Sequence, residues 1–179
     1  MEDRLKTFYE LYGRRRSVRE FQDRPVGAEA LSRLLMTLNT AQSAANRQPW
    51  HFIVVEKKDR VSLDEVFTKD GFKNAPVVIV ACADRGSAWV RRYDGANYAW
   101  VDVAIAVTEM IGAATAEGLG TCWVASLDPA KVKGILGIPD KYDVVGIIAL
   151  GYPEKELVKE EKPRKPLKEI ISYGRWQGE

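Results

Sequence analysis

Between residues 98 and 117 the chain reads YAWVDVAIAVTEMIGAATAE, apolar on nearly every side of a helical repeat and crossed by Asp102, Glu109 and the terminal Glu117. A surface helix keeps one polar face in water, whereas a helix apolar all round must be enclosed by other elements or by a partner subunit. The pattern therefore predicts a central helix from Tyr98 to Glu117, stopped by Gly118. Asp102 and Glu109 argue against a membrane span, because a carboxylate in hydrocarbon is costly. A chain of 179 residues is long enough to enclose such a helix in one domain.

The elements that would do the enclosing follow from periodicity. Leu5, Phe8, Tyr9 and Tyr12 recur at helical spacing and predict a first helix ending near Gly13; Leu31, Leu34, Leu35 and Leu38 predict a second, beginning after Pro25. The runs HFIVVEK (51–57) and VVIVACA (77–83) are β-branched and apolar, as strands buried on both faces are. A short helix is expected from Val61 to Phe67 between them. GLGTCWVAS (118–126) reads as a turn entering a strand, Asp128 and Pro129 as the cap and first position of a helix through Leu136, and DVVGIIALGY (143–152) as a further strand. After Pro153 the composition turns to EKELVKEEKPRKPLKEI, too polar for a core of its own but able to wrap around one. The expectation is an α+β domain over residues 1–153, with 154–179 as its C-terminal tail.

Charge and chemistry narrow the function. With 27 Lys and Arg against 25 Asp and Glu there is no overall basic field, so nucleic acid is not the expected partner. Cys82 and Cys122 lie far apart and His51 is the single histidine, which leaves no zinc-ligand spacing and suits a reducing cytoplasm. The start, MEDRLKTFYE, carries no apolar signal region, which again points to the cytoplasm. No GxGxxG between strand and helix, no phosphate-cradling GxxxxGK[ST] and no GxSxG is present. Side-chain acids, bases and nucleophiles are thinly supplied, so an enzyme built on this chain would rely on a cofactor.

Against that balance stands GRRRSVREF (13–21), with Arg14, Arg15, Arg16 and Arg19 within six positions and Ser17 between them. Concentrated positive charge wants an anion or water. A phosphate dianion suits guanidinium groups and a hydroxyl, while a solvated basic turn after a helix is the alternative. Lys162 and Arg164 in EKPRKPL could close on the same anion, or belong to a solvated tail.

The pieces also form an ordered set. RRSVREF with the following PV, SAANRQPWHFIVV (43–55), AEGLGTCW (116–123), GIP (137–139), LGYP (150–153) and RKPLKEI (164–170) closely resemble the nitroreductase family of FMN-dependent oxidoreductases from about residue 10 to residue 173. The resemblance implies an α+β nitroreductase-like fold with a central mixed sheet flanked by helices. It further implies an interlocked homodimer with FMN in the interface and the tail exchanged between subunits.

By the same resemblance, Arg15, Arg16, Ser17 and Arg19 stand at the phosphate-binding motif, with Lys162 and Arg164 closing it and Arg14 an extra neighbour without an assigned role. Gln42, Ser43, Ala44 and Asn46 fall in the loop that approaches the flavin from the partner, although Asn46 alone could be a turn residue. Trp123, Val124, Ala125 and Ser126 form the second flavin-contacting segment; larger members often carry Glu-Gly where Ala125 and Ser126 stand. Asp102, an acid in an apolar helix, either reaches a ribityl hydroxyl or caps a buried network. Trp89, Tyr93, Tyr98 and Trp100 surround the substrate mouth, for stacking or for packing. The implied activity is hydride transfer from NADH or NADPH to FMN and onward to a small acceptor such as a nitroaromatic or quinone. No catalytic side chain and no metal is expected. The rivals are a flavin-binding protein without turnover, or specialised flavin fragmentation or dehalogenation.

Overall fold

The structure, a computed structural model, describes residues 2–60, 62–156 and 162–178. Four strands form the sheet: β1 (Trp50–Glu56), β2 (Val77–Asp84), β3 (Gly120–Val124) and β4 (Tyr142–Gly151), in the order β1-β2-β4-β3. Every ladder between them is antiparallel. The mixed sheet implied by the resemblance is thus reduced, among the described residues, to a single parallel bridge between Ser17 and Thr121. After that bridge the segment pairs antiparallel with the residues following β4, Phe21 opposite Pro153, with the Gln22 N–H donating to the Tyr152 carbonyl at 2.9 Å.

The central strands β2 and β4 are buried almost throughout, and their side chains alternate between two cores. Val78, Val80, Cys82, Ile147 and Ala149 face one, with Phe21, Leu63, Phe72 and Val132. Val77, Ile79, Ala81, Ile148 and Leu150 face the other, with Leu34, Leu38, Val103, Val107 and Met110. The period-two geometry of a strand thus serves both layers. Helices α1 (Glu2–Arg14), α2 (Ala28–Thr40), α3 (Ala99–Ala116), α4 (Pro129–Leu136) and α5 (Leu167–Ile170) complete the chain. Asp128 caps α4 as its sequence predicts, its Oδ1 accepting from the Ala130 and Lys131 N–H groups at 2.9 and 3.2 Å.

The connection between β1 and β2 holds short 3₁₀ turns at Leu63–Val66 and Asp70–Asn74 where a short α-helix was expected; Val61 lies outside the described residues. Arg60 organises this connection. Its Nη1 donates to the Ala75 carbonyl at 2.6 Å, Nη2 to the Lys73 carbonyl, and Nε meets Asp64 Oδ1 at 2.6 Å, all with no solvent exposure of Arg60.

α3 is long and apolar enough to cross a membrane by length and composition. Its buried residues, including Val103, Ala106, Val107 and Met110, instead pack in the core beside α2 and β2. The chain's own elements cover only part of its circumference, leaving Trp100 and Val101 nearly half exposed. Exposure is greater still at Tyr9 and Tyr12 of α1 and at Leu167, Tyr173 and Trp176 of the tail.

Candidate cofactor site

α1 ends as Arg14 leaves the helix, with the Arg15 N–H still bonded to the Leu11 carbonyl at 3.1 Å. Four residues on, the Val18 N–H donates to the Thr121 carbonyl of β3 at 2.8 Å. Gly120 makes this approach possible: a Cβ there would lie 2.6 Å from Val18 Cγ2. The arginine run is therefore tied to a helix end on one side and to a strand on the other.

A pocket of about 280 Å³ opens at this place, lined by Tyr12, Gly13, Arg14, Arg15, Arg16, Lys162 and Arg164. Five cations converge with no carboxylate among the lining residues. Lys162 and Arg164 of the tail thus lie beside the arginines of their own chain, and Arg14, which had no assigned role, lies with them; its adjacency to Arg15 at a helix end was the available signal. Arg16 Nη2 also donates to the Glu156 carbonyl at 3.1 Å, fastening the start of the tail. Ser17 and Arg19 do not line the pocket. Arg19 Nη1 instead donates to the Ser17 carbonyl at 3.3 Å, which stiffens the motif's backbone.

The second group surrounds a short 3₁₀ turn at Ala44–Asn46. Ala45, Asn46 and Gln48 have φ of 52°, 52° and 48°, in the left-handed region that non-glycine residues avoid. Such residues each cost about 1 to 3 kcal/mol and persist where surroundings over-determine them. Here Ser43 Oγ accepts from the Gln48 N–H at 3.0 Å, and Gln48 Nε2 donates to Asn46 Oδ1 at 3.1 Å. Asp102 Oδ1 accepts from the Ala44 N–H at 2.9 Å. Gln42 and Asn46 are exposed, Ser43 and Ala44 half-buried.

Trp123 and Val124 close β3, and Ala125 and Ser126 follow it, both exposed. Trp123 lies against β4 because residue 146 is glycine: a Cβ there would sit 2.5 Å from the indole Nε1. Beside this strand, burial pushes the Cys122 thiol up in pKa, with Arg19 and Lys69 opposing. That makes Cys122 a packed core residue rather than a thiolate.

These groups do not all meet. β3 carries the arginine segment and residues 123–126, whereas the 42–48 loop enters β1, and β1 and β3 are the two edges of the sheet. Two strands intervene, a separation of roughly 14 Å at about 4.8 Å per strand. Within one chain the 42–48 loop and the 123–126 segment therefore lie at opposite edges of the sheet.

The family model described as "Nitroreductase family" matches residues 12–69 and 63–152, from the arginine run through the LGYP turn. The chain belongs to the nitroreductase family. A protein of Archaeoglobus fulgidus provisionally named NADH dehydrogenase/NAD(P)H nitroreductase is 35% identical over 163 residues, covering 87% of this chain and 88% of that one. The 5,6-dimethylbenzimidazole synthase of Rhodospirillum rubrum is 29% identical, over 82% of each chain. Among solved structures, a nitroreductase family protein of Clostridium difficile 630 superposes with a TM-score of 0.84 at 32% identity, covering 93% of this chain and 98% of that one. An FMN-dependent nitroreductase of Clostridium difficile R20291 gives a TM-score of 0.76 at 28% identity, covering 93% and 98%. This member of the nitroreductase family therefore shares its fold with relatives along nearly its whole length, and it is an oxidoreductase by family.

Proposed function

We propose that this nitroreductase is a homodimeric, cytoplasmic, FMN-dependent NAD(P)H oxidoreductase that reduces a small organic acceptor such as a nitroaromatic or a quinone. The observation that carries the reading is the pocket of five cations, Arg14, Arg15, Arg16, Lys162 and Arg164, without a carboxylate in its lining. This donor set fits a phosphate dianion, since guanidinium groups stay protonated and donate paired N–H bonds that the phosphate oxygens accept. These residues would hold FMN by its phosphate, and the cofactor would supply the hydride and electron transfer chemistry that the side chains lack. The chain's part is to hold the phosphate through the basic pocket, to present the 42–48 loop and the 123–126 segment as walls, and to keep those walls rigid. His51 stands at the exposed start of β1, 5.9 Å from the Tyr142 ring, and is assigned no proton-transfer role.

Dimerisation rests on two observations. The 42–48 loop and the 123–126 segment lie at opposite edges of one sheet, and exposed apolar residues concentrate on α1, on α3 and in the tail. A second copy would supply the missing wall and cover those faces. A second reading, specialised flavin fragmentation, is favoured by the 29% identity to the dimethylbenzimidazole synthase; the connection from Asp84 to Ala99 leaves little chain for an added lid.

The purified protein is expected to be yellow, and Arg15→Ala to weaken FMN binding about ten- to a hundredfold while leaving riboflavin, which lacks the phosphate, almost unaffected. Stopped-flow bleaching by NADH or NADPH and reoxidation by a quinone test turnover. A loaded flavin that neither nicotinamide bleaches would move the binding-protein and fragmentation readings ahead.

A further inference from the structure

Asp102 lies in the first turn of α3, 1% exposed, in a layer otherwise made of Leu34, Leu38, Val103 and Ala106. An isolated carboxylate in such a layer is costly unless a hydrogen bond or a helix N-terminus compensates it. One oxygen is engaged: Oδ1 accepts the Ala44 N–H at 2.9 Å. The other, Oδ2, is sealed from solvent and has no hydrogen-bond partner among the described residues. Neither oxygen is open to a ligand, which removes the ribityl contact considered from the sequence. What the carboxylate touches is the start of the turn in which Ala45, Asn46 and Gln48 all adopt left-handed backbone.

We propose that Asp102 is a positioning residue: its buried carboxylate grips the Ala44 N–H and thereby holds the 43–48 loop in the left-handed shape in which it faces the flavin. Ser43 Oγ to the Gln48 N–H, the Gln48 side chain to Asn46, and the Asn46 and Arg47 N–H groups to the Ser43 and Ala44 carbonyls are all internal to the loop. They shape the turn, and its C-terminal end is held to β1 by the Trp50 N–H donating to the Gln48 carbonyl at 2.8 Å, which leaves Asp102 to hold the other end. Asp102 ties the turn to the longest helix of the fold, so the loop inherits the placement of α3. A carboxylate half unsatisfied in a core is the kind of local conflict that folds retain where placement of a segment is selected over stability. The role rests on the flavin reading of the loop, but the grip itself does not.

The test compares Asp102→Ala with Asp102→Asn, whose Oδ1 can still accept. In protein freed of flavin, amide exchange of residues 44–48 should speed up about ten- to a hundredfold in Asp102→Ala. Exchange in β2 and β4 should stay as it was, and Asp102→Asn should restore most of the protection. With FMN loaded, Asp102→Ala should shift the flavin's visible circular dichroism and reduction potential, and Asp102→Asn should return both towards the wild-type values. Unchanged exchange at 44–48 in Asp102→Ala overturns the grip. Altered exchange with unaltered flavin spectrum and potential overturns the positioning role. Equal damage in both variants also overturns it, because the acceptor would then not be what matters. Should Asp102→Ala fail to fold, Asp102→Asn against wild type decides alone: protection at 44–48 kept supports the grip, and its selective loss refutes it. If wild-type protein binds no FMN, the functional reading fails while the exchange experiment still judges Asp102.

Discussion

Arg60 shows how much one side chain can organise. Its guanidinium reaches two carbonyls and the Asp64 carboxylate, and burial pushes its pKa below the ordinary arginine value while Asp64 pulls it back up. Arg60→Ala would leave the Ala75 and Lys73 carbonyls and Asp64 without their donor. A loss of about 3 kcal/mol in urea unfolding is expected, as for other broken buried pairs. Cys82 is the opposite case, a titratable group kept neutral. Burial pushes its thiol from 9.0 up to about 11. Between those values the unfolded chain gives up the proton and the folded protein keeps it, so stability falls as pH rises through that window. Melting temperatures from pH 8 to about 11 should fall less steeply in Cys82→Ala than in wild type, and iodoacetamide should label neither cysteine quickly in the native protein.

At the scale of elements, the site depends on close backbone approaches that glycine permits. Gly120 lets Val18 lie against β3, and Gly71 lets the 3₁₀ turn of Asp70–Asn74 approach the Arg19 carbonyl, which a Cβ would meet at 2.1 Å. Gly71→Ala and Gly120→Ala should each destabilise the fold by about 1 to 3 kcal/mol, as overpacking does. Because both push on the segment 18–19, both should also weaken FMN binding, read by fluorescence titration. Gly134→Ala in α4, where a Cβ meets nothing within 4 Å, is the control that should leave FMN binding unchanged and, as a helix-interior glycine, raise stability by up to about 1 kcal/mol.

For the whole molecule, the exposed apolar residues of α1 and the tail predict association. A groove of about 430 Å³ lined by Phe8, Leu11, Tyr12 and Thr108, among others, runs between α1 and the α2–α3 pair and shares Tyr12 and Arg15 with the basic pocket. Light scattering should give twice the 20.1 kDa of one chain, with an interface above about 2,000 Å² as in obligate dimers. Lys162→Ala combined with Arg164→Ala should lower FMN affinity at least about tenfold without dissociating the dimer, since phosphate contacts and apolar burial are separate contributions. A flavin-loaded monomer at micromolar concentration would refute the two-subunit site.

The amino-acid sequence by itself determined the elements and the kind of ligand. Helical spacing at Leu31–Leu38, the apolar run of 98–116, the β-branched runs of β1, β2 and β4 and the Asp128-Pro129 cap each rest on local chemistry, and each forms where that chemistry puts it. Six ordered motifs likewise pointed to the family, whose model matches 12–152; the sixth, RKPLKEI at 164–170, lies beyond that match. Tertiary structure decided which of the basic residues share a pocket, because convergence of residues 14–16 with 162 and 164 depends on where the tail returns, not on spacing. It decided that Arg19 donates to the Ser17 carbonyl, that β1 and β3 are the sheet's edges, and that Asp102 accepts the Ala44 N–H. Apart from the local Arg19–Ser17 bond, those outcomes are long-range: Ala44 and Asp102 stand 58 positions apart and Arg16 and Glu156 140 apart, and no local pattern carries such pairings.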